Sequence, residues 1–257
     1  MSDTIAHRVA GAGEASPVPE RLRRLSIDLF ASLRAASFDG VGVSRETYGE
    51  SETEAMEIVA QQAAHEGLTI EWDPARNLVI SLHGRNPELP AVATGSHLDS
   101  VPIGGNYDGA AGVIAGLIAL IAAKQFGPPP RTMRVYALRG EESAWFGGPC
   151  YFGSRALFGQ LSEADFDTRH RSGGKTLADC MRAVGADMAV LRRGAPLIDP
   201  AALACWIELH IEQGPVLEAL RRPAGAVTAI NGQTRLSVTV KGEAGHAGTV
   251  PMTLRKD

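Results

Sequence analysis

The chain has 257 residues, 44% of them hydrophobic, and a formal net charge of −4. This length and composition are typical of a globular protein with a sizeable core, and the balanced charge by itself does not indicate a surface for nucleic acid or membrane. Three cysteines without a C-x-x-C pair favour reduced thiols in a cytoplasmic protein. The longest apolar run, residues 112–123, is too short to span a bilayer, and the N-terminus shows no export signal.

The N-terminal part predicts a tail and two helices. Residues 1–17 are small and polar, so we expect them to be disordered. After Pro19, four leucines at helical spacing predict an amphipathic helix: Leu22, Leu25, Leu29 and Leu33. A second helix is predicted to start near Ser51 with a capping box to Glu54, and to end before Gly67.

The middle of the chain alternates strands and helices. Predicted strands cover 68–72, 77–82, 91–94 and 133–138, and the apolar run forms a buried helix that Gly127 and three prolines stop. A further buried strand is predicted in 204–215. This order predicts an α/β fold in which helices flank a mixed, mostly parallel sheet.

From residue 223 the pattern changes to alternation, which predicts an antiparallel hairpin with Leu236, Val238 and Val240 on one side. We therefore predict three regions: a disordered tail (1–17), an α/β domain (18–222) and the beginning of a second domain (223–257). The sequence stops at residue 257 without a strand or helix that would complete the second domain, so we expect the chain to be a fragment of a longer protein.

Metal-binding residue types recur just beyond the predicted strands. They are His97, Asp99, Asp108, Glu141, Glu142 and His210. Parallel strands end at a common edge of an open sheet, so these side chains are predicted to converge there. Imidazole and carboxylate together suit zinc, manganese or a similar divalent ion. Each of these residues alone would commonly have a structural role. The metal site is predicted because several of them occur together at the ends of successive strands.

The spacing of these residues suggests separate roles. Asp99 lies on the same side of an extended chain as His97 and can hold its imidazole through the second ring nitrogen. Asp108 lies among glycines that let the backbone turn sharply. Glu141 and Glu142 are adjacent, so their side chains point apart, and the pair can supply one metal ligand and one general base.

Five motifs in order resemble the hydantoinase/carbamoylase family of amidases. They are "TGSHLDSVPIGGNYDGAAGV", "RGEES", "FGSRAL", "ELHIEQGPVLE" and "GHAGTVPMTLRKD". The family contains N-carbamoyl-L-amino-acid hydrolases, allantoate amidohydrolases and β-ureidopropionases. It is part of the di-metal superfamily of aminoacylases and carboxypeptidase-like exopeptidases. The resemblance runs from about Arg21 to the end of the chain. It implies that 18–222 is an incomplete catalytic metal-binding domain and that 223–257 begins an α+β lid and dimerisation domain.

The resemblance implies two divalent ions per site (zinc, or manganese, cobalt or nickel) and a role for each matching residue. The implied metal ligands are His97, Asp108 as the bridge, Glu142 and His210. The implied catalytic residues are Glu141 as general base, Asp99, and His246 on the lid, which would polarise the scissile carbonyl. Gln213, together with His246, would contact substrate. Arg255 and Asp257 match a family motif that we interpret as structural.

The chain departs from the family pattern in one motif. Family members commonly read "EEGSRF" where this chain reads "EESAWF", so that Trp145 stands at an arginine position. The family's last metal ligand, a histidine, lies beyond residue 257, together with most of the lid. His65, His83 and His170 lie in a helix end or in loops and are not expected to be catalytic.

The predicted function is a metal-dependent amidohydrolase, cleaving the ureido C–N bond of N-carbamoyl-L-amino acids to amino acid, carbon dioxide and ammonia. Allantoate, β-ureido acids and N-acyl amino acids are alternative substrates for the same residues. A third alternative is an inactive fragment of such an enzyme. The expected partner is a small ureido or amide substrate, without nucleic acid or membrane, and the resemblance implies a homodimer for the full-length protein.

Overall fold

The computed structural model describes residues 18–230, 232, 234, 236, 238, 239 and 241–256. The described residues divide into two compact units, one ending at Ile211 and the other beginning at Glu212. The tail predicted for 1–17 lies outside the described residues. No helix within the described ranges has the length and apolar character that crossing a bilayer requires.

The first unit contains one sheet and most of the helices. Its strands are β1 (Thr69–Trp72), β2 (Leu78–Leu82), β3 (Ala91–His97), β4 (Met133–Leu138) and β5 (Leu203–Ile207). Its α-helices are α1 (Glu20–Ser37), α2 (Glu50–His65), α3 (Ala110–Lys124), α4 (Phe152–Leu157), α5 (Glu163–Phe166), α6 (Leu177–Ala183) and α7 (Met188–Leu191). A 3-10 helix covers Pro200–Ala202.

The sheet has the strand order β1-β2-β4-β3-β5. β3 runs parallel to both β4 and β5, whereas β2 pairs antiparallel with β1 and β4. The prediction of a mixed sheet flanked by helices is confirmed, and the parallel pairings are confined to the half that carries the metal-binding residue types. β3, β4 and β5 therefore end at the same edge of the sheet.

The helices pack through the faces that their apolar spacing predicts. Leu22, Leu29 and Leu33 of α1 are buried in the main core, together with the apolar face of α2 and most of α3. α3 is apolar around most of its circumference because it lies between the sheet and α1. A second core gathers α4, α6 and α7 around Phe152 and Phe166.

Two local predictions are wrong. α2 begins at Glu50 after Gly49, without the predicted capping box from Ser51. Instead the Glu52 carboxylate turns back to accept the N–H of Tyr48 at 2.8 Å. The strand predicted as buried in 204–215 is β5, whose side chains are mostly exposed, with Ile207 at 63%. β3 is the one strand paired with β5 in the described residues, so β5 is an edge strand.

The second unit is described by itself. It contains α8 (Val216–Ala219), a 3-10 helix at Met252–Leu254 and a bridge between Glu243 and Lys256. Leu236 and Val238, which the hairpin prediction placed on one side, are exposed and belong to no strand of the described residues, while Val240 lies outside them. The hairpin and the domain boundary at residue 223 stay predictions.

Candidate metal centre

Three side chains converge at the edge where β3, β4 and β5 end. His97 is the last residue of β3, Asp108 directly precedes the turn into α3, and His210 follows β5. Each offers one ligand atom, and these atoms all lie within 4.8 Å of one another. The convergence at the carboxyl edge of the parallel strands is the arrangement expected for a binding crevice in an open sheet.

The distances in this cluster suit a divalent cation. His210 Nε2 lies 3.3 Å and His97 Nε2 lies 3.9 Å from Asp108 Oδ1. Two ligand atoms of one tetrahedral zinc ion, each about 2.0–2.1 Å from the metal, are separated by about 3.3 Å. Two imidazoles and a carboxylate are also the donors that zinc and related ions prefer. The residues present therefore fit a metal ion.

Asp99 orients the first histidine, as the two-residue spacing predicts. His97 Nδ1 lies 3.2 Å from Asp99 Oδ1 and 3.0 Å from the Asp99 carbonyl oxygen. A proton on Nδ1 leaves the lone pair of Nε2 directed to the cluster. Burial lowers the pKa of His97, but the carboxylates of Asp99, Glu142 and Asp108 raise it more, to about 9. This negative potential favours a cation at the site, whether a proton or a metal ion.

Asp99 also binds the loop that follows β4. Its Oδ1 accepts the backbone N–H of Glu141 at 3.0 Å, and its Oδ2 accepts that of Glu142 at 3.0 Å and the Thr47 hydroxyl at 2.7 Å. Burial raises the pKa of Asp99, yet the hydrogen bonds from His97 and Thr47 lower it more, to below its ordinary value. A single buried carboxylate thus positions both the imidazole and the two glutamates.

The two glutamates have different surroundings. Glu141 accepts the backbone N–H of Ser154 at 2.8 Å and its hydroxyl at 2.7 Å, so α4 holds this carboxylate. Burial raises the pKa of Glu141 to about 7, against these hydrogen bonds. Glu142 is not in the three-residue cluster. Burial raises the pKa of Glu142 above its ordinary value, and the charges of His97 and His210, which lie near enough to lower this pKa, offset only part of the rise.

Sequence reasoning missed a buried ion pair beneath this loop. Glu52 and Arg139 are 0% and 1% exposed, and their side chains form a 2.8 Å salt bridge. The second carboxylate oxygen of Glu52 accepts the backbone N–H of Gly140 at 2.8 Å. A signal was present, because Glu52 shares the helical face of the buried residues Ala55, Met56 and Val59.

Arg45 was also missed, and its sequence neighbours offered no signal. It is fully buried beneath the loop between β3 and α3. Its Nε donates to the Leu98 carbonyl at 2.5 Å and its Nη1 to Asn106 Oδ1 at 3.3 Å. These bonds brace both ends of the segment between His97 and Asp108.

The remaining predicted residues belong to the second unit. Gln213 and His246 lie there, and His246 Nδ1 accepts the N–H of Gly248 at 3.1 Å. Arg255 follows the 3-10 helix of that unit, and Asp257 lies outside the described residues. The substrate-contacting roles of Gln213 and His246 stay predictions.

Comparisons with known proteins agree with this geometry. Residues 77–189 match a model described as Peptidase family M28. Over 217 residues the chain is 36% identical to an allantoate amidohydrolase of Escherichia coli, with 84% of this chain and 52% of that protein covered. Over 224 residues it is 39% identical to an N-carbamoyl-L-amino-acid amidohydrolase of Paenarthrobacter aurescens, with 86% and 53% covered.

A solved structure of an amidase is also similar to this chain. The crystal structure of a hydantoinase/carbamoylase family amidase from Burkholderia ambifaria matches with a TM-score of 0.66 and 28% identity, covering 92% of this chain and 55% of that one. The chain spans about half the length of the curated relatives it matches. Sequence, fold and the His/Asp cluster together show that this chain belongs to the hydantoinase/carbamoylase family of amidases.

Proposed function

We propose that this chain carries the metal centre of an amidohydrolase that cleaves the ureido C–N bond of N-carbamoyl-L-amino acids. The observation that carries the proposal is the cluster of His97, Asp108 and His210, whose ligand atoms lie within 4.8 Å of one another. Asp99 links that cluster to Glu141, a partly buried carboxylate suited to proton transfer. Two divalent ions are proposed, with Glu142 as the fourth ligand that this chain supplies.

The residues divide the chemistry between them. Divalent ions held here would polarise the scissile carbonyl and lower the pKa of the attacking water. Glu141 accepts the proton of that water and returns it to the leaving nitrogen, a role that suits a carboxyl whose pKa burial raises before metal binds. The carbamic acid released decomposes to carbon dioxide and ammonia, leaving the amino acid. His246 would stabilise the developing oxyanion, a contribution of about 3–4 kcal/mol for a well-placed donor.

Allantoate is the second candidate substrate. Two curated relatives, from Escherichia coli and Bacillus subtilis, are named allantoate amidohydrolases and are 36% and 38% identical to this chain. Allantoate also presents a ureido carbonyl, so the same residues would act on it. β-Ureido acids and N-acyl amino acids use the same chemistry and complete the test panel.

The test is ammonia release by metal-depleted protein after addition of zinc, manganese, cobalt or nickel. The substrates are N-carbamoyl-L-amino acids, allantoate and a β-ureido acid, with N-acyl amino acids followed by release of the free amino acid. Glu141→Gln is expected to lower turnover at least about 100-fold while ion binding persists. The matched control is Glu88→Gln, an exposed glutamate between β2 and β3, which is expected to keep turnover unchanged.

Each outcome has a distinct meaning. Near-normal turnover by Glu141→Gln would refute the general-base role. Ion binding without release of product from any substrate would favour the non-catalytic alternative, in which the chain alone is inactive. Turnover of allantoate alone would replace the proposed substrate with the second candidate. Bound-metal analysis and sedimentation would test the two-ion and homodimer predictions, and a cytoplasmic location stays a prediction.

A further inference from the structure

A tryptophan joins two of the loops at the metal centre. Trp145 lies in the loop after β4, shortly beyond Glu142, and its indole Nε1 donates a 2.7 Å hydrogen bond to the carbonyl oxygen of Ser100. Ser100 directly follows Asp99 in the loop after β3 and is 1% exposed. The indole N–H therefore connects the loop that carries the two glutamates to the loop that carries Asp99.

One face of the Trp145 indole also packs against a histidine. Its ring stacks on His170, with ring centroids 5.9 Å apart and planes inclined by 18°. His170 is buried, and its Nε2 lies 3.1 Å from Glu46 Oε1 while its Nδ1 contacts the Ser172 hydroxyl at 2.7 Å. His170, which was not expected to be catalytic, thus packs against the ring of Trp145 and supports its orientation.

Ser100, whose carbonyl oxygen accepts the indole N–H, is itself held by hydrogen bonds. The backbone N–H of Ser100 donates to the Arg45 carbonyl at 3.0 Å, and the Ser100 hydroxyl oxygen accepts the Arg45 N–H at 2.9 Å. Because the Ser100 backbone is held by these two hydrogen bonds and the indole packs on His170, the Trp145–Ser100 hydrogen bond is placed to set the spacing between the two loops.

We propose that Trp145 is a positioning residue of the metal centre, whose indole N–H sets the distance between the loop after β3 and the loop after β4. The inference rests on the proposed function, because the metal ligands are assigned there. Trp145 acts through the backbone of these loops and not by contact with substrate. Tryptophan here and arginine at the same position of the family motif both end in N–H donors, which phenylalanine lacks.

The first test needs no metal. Hydrogen exchange of the Glu141 and Glu142 amides, which both donate to Asp99, reports how firmly the loop after β4 is held. Trp145→Phe keeps an aromatic ring but removes the donor, so exchange of these amides should be about tenfold faster, the factor for one hydrogen bond of ordinary strength. Trp145→Arg restores a donor and should exchange at nearly the parent rate.

The matched control is Trp72→Phe, the same chemical change in β1, a strand that β2 separates from β4. It should leave the exchange of both amides unchanged. Parent-like exchange in Trp145→Phe would overturn the inference, as would equally fast exchange in Trp145→Phe and Trp145→Arg. If Trp145→Phe does not fold, Trp145→Arg decides alone, because accelerated exchange there would show that a donor at this position is not sufficient.

The second test is Co²⁺ binding, followed by the visible absorption of the bound ion. Trp145→Phe should bind Co²⁺ about tenfold more weakly than the parent, with recovery in Trp145→Arg and no change in Trp72→Phe. Equal affinity in Trp145→Phe and the parent would contradict the inference. Failure of the parent itself to bind Co²⁺ would refute the proposed function, and the exchange measurement would still decide the role of Trp145.

Discussion

Glu52 accepts the backbone N–H of Gly140 at 2.8 Å and thereby ties α2 to the residue directly before Glu141. The next two N–H groups along the chain donate to Asp99. Two buried carboxylates thus hold three consecutive amides of the loop that carries both glutamates. The backbone of the proposed general base, Glu141, is consequently held by two buried carboxylates, while Ser154 holds its side chain.

Removing the charge of Glu52 should destabilise the whole first unit. Glu52→Gln leaves the Arg139 guanidinium buried without its ionic partner, and breaking such a pair costs about 3–5 kcal/mol. Urea unfolding measures the change in the free energy of unfolding. Glu57→Gln, an exposed glutamate on the same helix, should change it by less than about 0.5 kcal/mol. Equal stability of the two variants would contradict the importance of the pair.

Asp99→Asn should weaken metal binding. The amide keeps one oxygen acceptor but loses the charge that orients and polarises His97. Loss of such a carboxylate behind a metal-bound histidine typically lowers affinity about 10–100-fold. Competition with a chromophoric chelator measures the zinc affinity. Asp28→Asn, an exposed change on α1, is the control and should bind zinc like the parent, and parent-like affinity of Asp99→Asn would refute the prediction.

Gly112→Ala should destabilise the site from the side of α3. A Cβ at this position would lie 2.3 Å from the Leu209 carbonyl oxygen and 2.7 Å from Ser96 Cβ. Alanine gains about 1 kcal/mol of helix propensity, but overpacking against backbone costs about 1–3 kcal/mol, so we expect a net loss of stability in urea unfolding. Gly105→Ala meets no atom within 4 Å and should be nearly neutral. A stabilised Gly112→Ala variant would show that α3 can move away from β5.

Acid should weaken the first unit partly through Asp165. Burial raises the pKa of Asp165, but hydrogen bonds from Arg155 and Ser162 lower it more, to about 2. Because the folded pKa lies below the unfolded value of about 3.8, this stabilisation is complete above about pH 4 and is lost as the pH falls towards 2. After allowance for solvent screening it amounts to about 1 kcal/mol.

The measurement is the free energy of unfolding at pH 5 and at pH 2.5. Asp165→Asn should be less stable than the parent at pH 5, and the difference should shrink at pH 2.5. Asp167→Asn, an exposed neighbour, should follow the pH dependence of the parent. A constant difference between Asp165→Asn and the parent at both pH values would show that the Arg155 pair contributes no pH-dependent stability.

Local patterns in the sequence were enough for most of the fold. β4 spans the same residues as its prediction, and α1 buries three of the four leucines at helical spacing. The placement of His97 and His210 near strand ends also predicted their convergence. These features are encoded in residues close together in the chain, because side-chain periodicity follows directly from backbone geometry.

Tertiary structure alone decided the partners of the polar groups. Nothing near Glu52 in the sequence pointed to Gly140, and nothing near Trp145 pointed to Ser100. The exposure of β5 likewise could not be read from its apolar composition, because it depends on which segments pack against the faces of the strand. A buried donor or acceptor must find a partner, but which partner it finds depends on the segments that the fold brings together, and periodicity carries no information about that choice.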